Sequence, residues 1–152
     1  MTDGGFVEAN ERARAALATL AATLSPDDIG ADAGGDWTVA SVFAHLAFWD
    51  RWQEARWHAA AAAGLACPPA LPDGIDDLVN EALGALVHRL PGDRAVGAWR
   101  AAAESLDGMI AGLPDASVQA ALDGGLERLV DRSRHRLEHL DQVERALGGR
   151  HG

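Results

Sequence analysis

The sequence predicts an all-α protein, a bundle of four long helices with one additional short helix. Three observations carry this. Apolar residues recur at helical spacing in several separate stretches, and no stretch alternates with the period of two that marks a half-buried strand. Alanine dominates, tyrosine is absent and β-branched residues are few, which favours helix over sheet. Pro and Gly fall between the periodic stretches, where they act as breakers. The 152 residues suit one domain, residues 1–152, with neither an internal repeat nor a composition shift to divide it. Helices of this kind bury their apolar stripes against one another.

The first helix is expected from about Phe6 to Leu24, with Val7, Ala13, Leu17 and Leu20 at helical spacing, and Ser25-Pro26 ends it. An Asp- and Gly-rich loop follows to Asp36; the spacing of Asp27, Asp28, Asp32 and Asp36 does not match an EF-hand, so it reads as a solvated acidic loop. Thr38 is a natural N-cap for the second and longest helix, which runs to about Ala63 and is closed by Gly64. Its Val42, Leu46, Trp49 and Gln53 share one face. A short helix from Asp76 to Leu90 carries Leu78, Val79, Leu83, Leu86, Val87 and Leu90, and Pro91-Gly92-Asp93 breaks it. Asp93 then caps a helix that reaches Leu113 before Pro114. A loop through Gly124-Gly125 leads into a last helix from about Leu126 to Leu147, which Gly148-Gly149 terminates.

Charge and cysteine content exclude several classes. There are 13 basic and 23 acidic residues, a formal charge of −10, and every basic residue is Arg. Nucleic acid and anionic membrane surfaces both need a cationic footprint, so neither is the expected partner. Cys67 is the only cysteine, which rules out an intramolecular disulfide and any zinc site built on paired cysteines, including that of the zinc anti-sigma regulators. Lying before Pro68-Pro69, it reads as a spectator thiol. No apolar run is long enough to cross a membrane and no signal-peptide pattern opens the chain, so a soluble cytoplasmic protein is expected.

Two stretches can carry chemistry. His135 and His139 are four apart, so on a helix both imidazoles leave one face, a turn apart, as two ligands of one metal do. Among Arg132, Arg134, Arg136, Glu138 and Asp141 the same pair also fits a polar, solvent-facing surface. It lies roughly 130° from the centre of the stripe Leu126, Val130, Leu137, Leu140 and Leu147, so it faces a flank cleft, a second covering element, or solvent. The second stretch, Gly35 to Trp52, holds three of the five Trp and His45. His45 sits roughly 60° off the apolar stripe of its helix, beside Trp52. Trp37, Trp49, Trp52 and Trp57 read as core anchors or as the apolar lining of a pocket.

Three separated patterns carry a resemblance. Asp36-Trp37-Thr38-Val39 with His45-Leu46-Ala47-Phe48-Trp49-Asp50 resembles the second helix of the DinB-like (DinB/YfiT) superfamily. Asp76-Asp77-Leu78-Val79-Asn80 resembles its short middle helix, and His135-x-x-x-His139-x-x-Gln142 its final helix. The superfamily includes mycothiol-dependent maleylpyruvate isomerase and bacillithiol transferase. The resemblance implies a DinB-like four-helix bundle, often a homodimer, in which His45, His135 and His139 bind a divalent metal. Three imidazoles leave a coordination position open, as catalytic sites do. Zn²⁺ is the first expectation, and Ni²⁺ and Fe²⁺ also suit imidazole. The expected function is activation of water or of a low-molecular-weight thiol such as mycothiol against a small electrophile, as a thiol S-transferase, isomerase or hydrolase; no residue is assigned a catalytic role. The alternative is a non-catalytic dimeric bundle that binds metal or ligand. Gln142 is favoured as the acceptor that orients a ligating imidazole, while Asp50 reads as a capping or surface residue. His58, His88 and His151 read as surface residues.

Overall fold

The computed structural model describes residues 5–148 and has an all-α bundle. In chain order it contains α1 (Gly5–Thr23), the single-turn α2 (Pro26–Ile29), a hairpin of β1 (Asp32–Gly34) and β2 (Trp37–Thr38), α3 (Val39–Ala62), α4 (Ile75–Val87), α5 (Gly92–Ala111), α6 (Asp115–Asp123), a 3-10 turn (Glu127–Leu129) and α7 (Ser133–Gly148). Helices α1, α3, α5 and α7 form the bundle, with α3 packed most closely on α5 and α1 on α7.

The N-terminus of α3 forms as its sequence suggests. Thr38 Oγ1 accepts from the Ser41 amide at 3.1 Å, and Ser41 Oγ accepts from the Thr38 amide at 2.8 Å, so two amides free of intrahelical partners are satisfied reciprocally. At its other end Gly64 takes φ +70° and the Leu65 amide returns to Ala60 O at 2.9 Å, closing the helix. The core inside the bundle is built on Leu17, Val42, Phe43, Leu46, Trp99 and Val143, all fully buried. A second cluster joins Trp57, Leu106, Ile110, Val118 and Leu129 beneath α6.

Four expectations are corrected. The acidic segment before Thr38 is not a plain loop. Ser25 caps α2 in a box with Asp28, and residues 32–38 turn back on themselves as an antiparallel hairpin pairing Gly34 with Trp37. Gly35 supplies the φ of +59° that this two-residue turn requires. The segment before Gly124 is the helix α6, held by burial of Val118 and Ala121. The last helix begins at Ser133 and not at Leu126, because the 3-10 turn intervenes. Its buried stripe is therefore Ser133, Arg136, Val143 and Leu147, and Leu137 is exposed. Asp93 lies within the first turn of α5, and the cap position is held by Pro91, which offers no side-chain cap hydrogen bond. Helix α4 ends at Val87, short of the expected Leu90, and exposes Leu78 and Leu86, because α3 covers only one side of its broad apolar face, at Leu83 and Val87; Leu90, in the turn beyond it, is exposed as well. Gly149 and His151 lie outside the described residues.

Candidate metal centre

His45, on the second turn of α3, meets His135 and His139 of α7, and one ring nitrogen from each lies within 4.8 Å of the others. His45 Nε2 and His135 Nε2 are 3.1 Å apart. Metal–nitrogen bonds of about 2.0–2.1 Å place two ligand nitrogens about 2.9 Å apart at a right angle and about 3.4 Å apart at the tetrahedral angle. The observed separation falls between these limits, so this pair is spaced to share one ion.

The phase of α7 explains why the histidines meet. With the helix starting at Ser133, His135 and His139 lie roughly 75–115° from the centre of its buried stripe. They flank the core and face the N-terminal half of α3. Of the three possibilities left open by the sequence, the flank cleft is the one observed: His45 is buried and the other two are half-buried. Burial pushes the His45 imidazole down to about 3 and His135 to about 2, with the neighbouring His139 and Arg132 charges acting in the same direction. Burial lowers His139 as well, against the opposing hydrogen bond to Gln142. All three rings are neutral at pH 7, the state in which imidazole donates a lone pair.

The hydrogen-bond partners decide the tautomers. Gln142 Nε2 donates to Ala33 O at 3.1 Å, which turns its Oε1 toward His139 Nδ1 at 2.8 Å. A carboxamide oxygen only accepts, so His139 carries its proton on Nδ1 and leaves Nε2 bare. The hairpin thus orients the third imidazole through Gln142, the residue favoured from the sequence. Trp37, at the end of the hairpin turn, stands edge-on to His45 at 5.1 Å and to His88 at 5.3 Å. His88 is therefore half-buried against Trp37, with Nδ1 lacking a hydrogen-bond partner, and is not a plain surface residue. His58 is exposed beside Glu54, as expected.

Asp50 is the main correction at the site. It is completely buried and accepts from Arg132 Nε and Arg136 Nη2, both at 3.0 Å. Arg136, also completely buried, donates through Nη1 to Asp107 at 2.9 Å and to Asn10 O at 3.1 Å. Asp107 also accepts from Arg14 Nε at 2.8 Å. Burial alone would lower the Arg136 pKa, but Asp50 and Asp107 together raise it. This network ties α1, α3, α5 and α7 together directly behind the histidines. A signal for it was present: Asp50 lies on the stripe Phe43, Leu46, Gln53, Trp57 and Arg136 on Ser133, Val143, Leu147, two opposite charges on apolar faces.

The tryptophans divide. Trp49 contacts His45 at 6.3 Å and donates to Asn80 Oδ1 at 2.9 Å, which links α4 to the site. Trp52 packs its ring against Phe48 and Trp49 and, among the described residues, makes no ring contact with a histidine. Trp57 donates to Leu129 O at 3.0 Å in the second cluster, away from the site. A cavity of about 100 Å³ opens beside His45 and His135 between Trp49, Asn80 and Arg128. It shares Gln53, Asp76 and Arg128 with a neighbouring cavity of about 330 Å³, so the two form one cleft. His139 also borders an open depression against the hairpin on the other side. Cys67 is half-buried in the second cluster, outside the lining of this cleft. Among the described residues no helix is long and apolar enough to cross a membrane.

The sequence model of the mycothiol maleylpyruvate isomerase N-terminal domain matches residues 11–137. The match includes His45 and His135; His139 lies just beyond it, and joins the site by geometry. No curated protein and no solved structure matches the chain. By fold, by the spacing of its motifs and by this match over most of its length, the chain belongs to the mycothiol maleylpyruvate isomerase N-terminal domain family, within the DinB-like superfamily.

Proposed function

We propose that this protein is a divalent-metal-dependent enzyme whose His45, His135 and His139 hold the ion, and that it activates water or a low-molecular-weight thiol against a small electrophile. The observation that carries the reading is the convergence of three imidazoles, two of which, His45 and His135, line an open cleft. A bound divalent ion would supply a Lewis acid that lowers the pKa of a coordinated water or thiol toward neutrality. The chain's own groups do the rest. Gln142 keeps His139 Nε2 free of its proton, and Trp37 stands edge-on against one side of His45. Trp49 offers an apolar surface at the cleft wall, while Asn80, Gln53 and the exposed Arg128 offer polar groups at its sides. The size of the cleft fits a small molecule.

One observation favours a second reading, a non-catalytic ligand-binding bundle. The direct His45–His135 contact, backed by Arg132 on His135, closes as a hydrogen-bonded cluster on its own. Metal content after dialysis against Zn²⁺, Ni²⁺ or Fe²⁺, and turnover of a thiol with a generic electrophile, separate the two. The enzyme reading expects one ion per chain and turnover that collapses in His139→Ala. Equal rates in wild type and variant remove it.

A further inference from the structure

Arg132 is 3% exposed and three of its guanidinium nitrogens are engaged. Nε donates to Asp50 at 3.0 Å, Nη1 to Arg128 O at 3.3 Å, and Nη2 lies 3.2 Å from His135 Nδ1. A guanidinium has donors and no acceptor. Nδ1 of His135 must therefore present its lone pair, and the single proton of the neutral ring sits on Nε2. That proton points at His45 Nε2 at 3.1 Å, so His135 donates to His45. His139 is set the other way, with its proton on Nδ1 toward Gln142. The two imidazoles of α7 thus hold opposite tautomers, each imposed by a different neighbour.

We propose that Arg132, anchored by Asp50, is a positioning residue that latches His135 in the Nε2–H tautomer, so that its ligand nitrogen becomes available only when Arg132 releases Nδ1. The consequence for metal rests on the three-histidine reading above; the tautomer does not. To offer Nε2, His135 moves its proton to Nδ1 with no change in charge, and Nη2 of Arg132 must leave, because two donors cannot face each other. Arg132 therefore weakens metal capture by roughly the strength of one charge-assisted hydrogen bond. The latch keeps His45 and His135 joined in the metal-free protein and makes occupancy depend on the position of one buried arginine.

The test reads the metal-free protein first. Long-range ¹H–¹⁵N correlation spectra distinguish the two imidazole tautomers. In wild type, His135 is expected as Nε2–H and His139 as Nδ1–H. Arg132→Met, which removes the donors, and Arg132→Lys, which keeps the charge for Asp50 but loses the planar fork, should both release His135 from that tautomer. Both should bind Zn²⁺ about ten- to a hundredfold more tightly in a chelator competition. Tightening in Arg132→Met alone would make the effect one of charge and overturn the latch. So would an Nδ1–H tautomer at His135 in wild type, a result that needs no variant to fold. If the tautomers are as expected but no protein binds Zn²⁺, Ni²⁺ or Fe²⁺, the tautomer assignment stands and the metal-enzyme reading falls.

Discussion

Asp50→Asn tests the network behind the site. The wild-type carboxylate is completely buried, and each oxygen serves a different arginine: Oδ1 accepts from Arg132 and Oδ2 from Arg136, both at 3.0 Å. Asparagine keeps the volume but offers one acceptor. Its amide nitrogen would confront a guanidinium donor, and the charge that balances Arg132 would be gone. Arg136 would retain Asp107, but Arg132 has no second carboxylate among its hydrogen bonds. Removing one partner of a buried ion pair costs about 3–5 kcal/mol, mostly because the surviving charge stays buried. A domain of this size is stable by about 5–15 kcal/mol, so the loss is a large share of the total. Urea denaturation followed by circular dichroism at pH 7 should show the midpoint falling steeply at unchanged slope. Arg132→Met in the same chain should restore part of the loss, because the orphaned cation is removed with it. A change of less than about 1 kcal/mol in Asp50→Asn would refute the argument, placing this pair in the range of exposed ion pairs.

Three further outcomes follow from the site and its supports. The histidines are held below the unfolded value of 6.5, His45 at about 3 and His135 at about 2. Above pH 6.5 both states are neutral and stability is full. As pH falls below 6.5 the unfolded chain takes up protons that the native site refuses, so metal-free stability declines, by about 1 kcal/mol for each of His45 and His135 between pH 7 and 5.5, with His139 acting in the same direction. Urea midpoints at the two pH values, compared with a His45→Ala, His135→Ala, His139→Ala chain, check this; an equal decline in the triple variant would refute it. Gln142→Ala should lower Zn²⁺ affinity about ten- to a hundredfold by freeing the His139 tautomer, while Gln142→Glu, which keeps an acceptor, should retain it. Equal Zn²⁺ affinity in Gln142→Ala and wild type, by chelator competition, would remove its orienting role. Gly92→Ala should destabilise by about 1–3 kcal/mol, since the added Cβ would overlap Ile29 Cγ2 where α2 packs on α5. Thermal unfolding reads the change, and an unaltered melting temperature would mean that α2 yields freely.

Much of the site was legible because it depends on local spacing. His135 and His139 share a helix face by the period of the helix alone, and the Thr38 cap is written in residues three apart. Gln142 could be placed on the His135 side of the wheel for the same reason. A local pattern misleads where a break interrupts it. With Leu126 and Val130 on the last helix its apolar stripe lies roughly 130° from the histidines, but residues 127–129 are a 3-10 turn that resets the phase.

By itself the sequence determined the helical class, most helix ends and the positions of the three histidines, because turn chemistry and periodicity act over a few residues. Only the tertiary structure decided what those residues face. Asp50 and Arg136, 86 positions apart, read separately as surface charges; each is buried because the other arrives from a different helix to neutralise it. The same holds for His45 and His135, 90 positions apart, and for Ala33 and Gln142, 109 apart, whose contact sets a tautomer. A charge or an imidazole takes its state from the partner that packing supplies, and packing joins parts of the chain that local spacing does not connect.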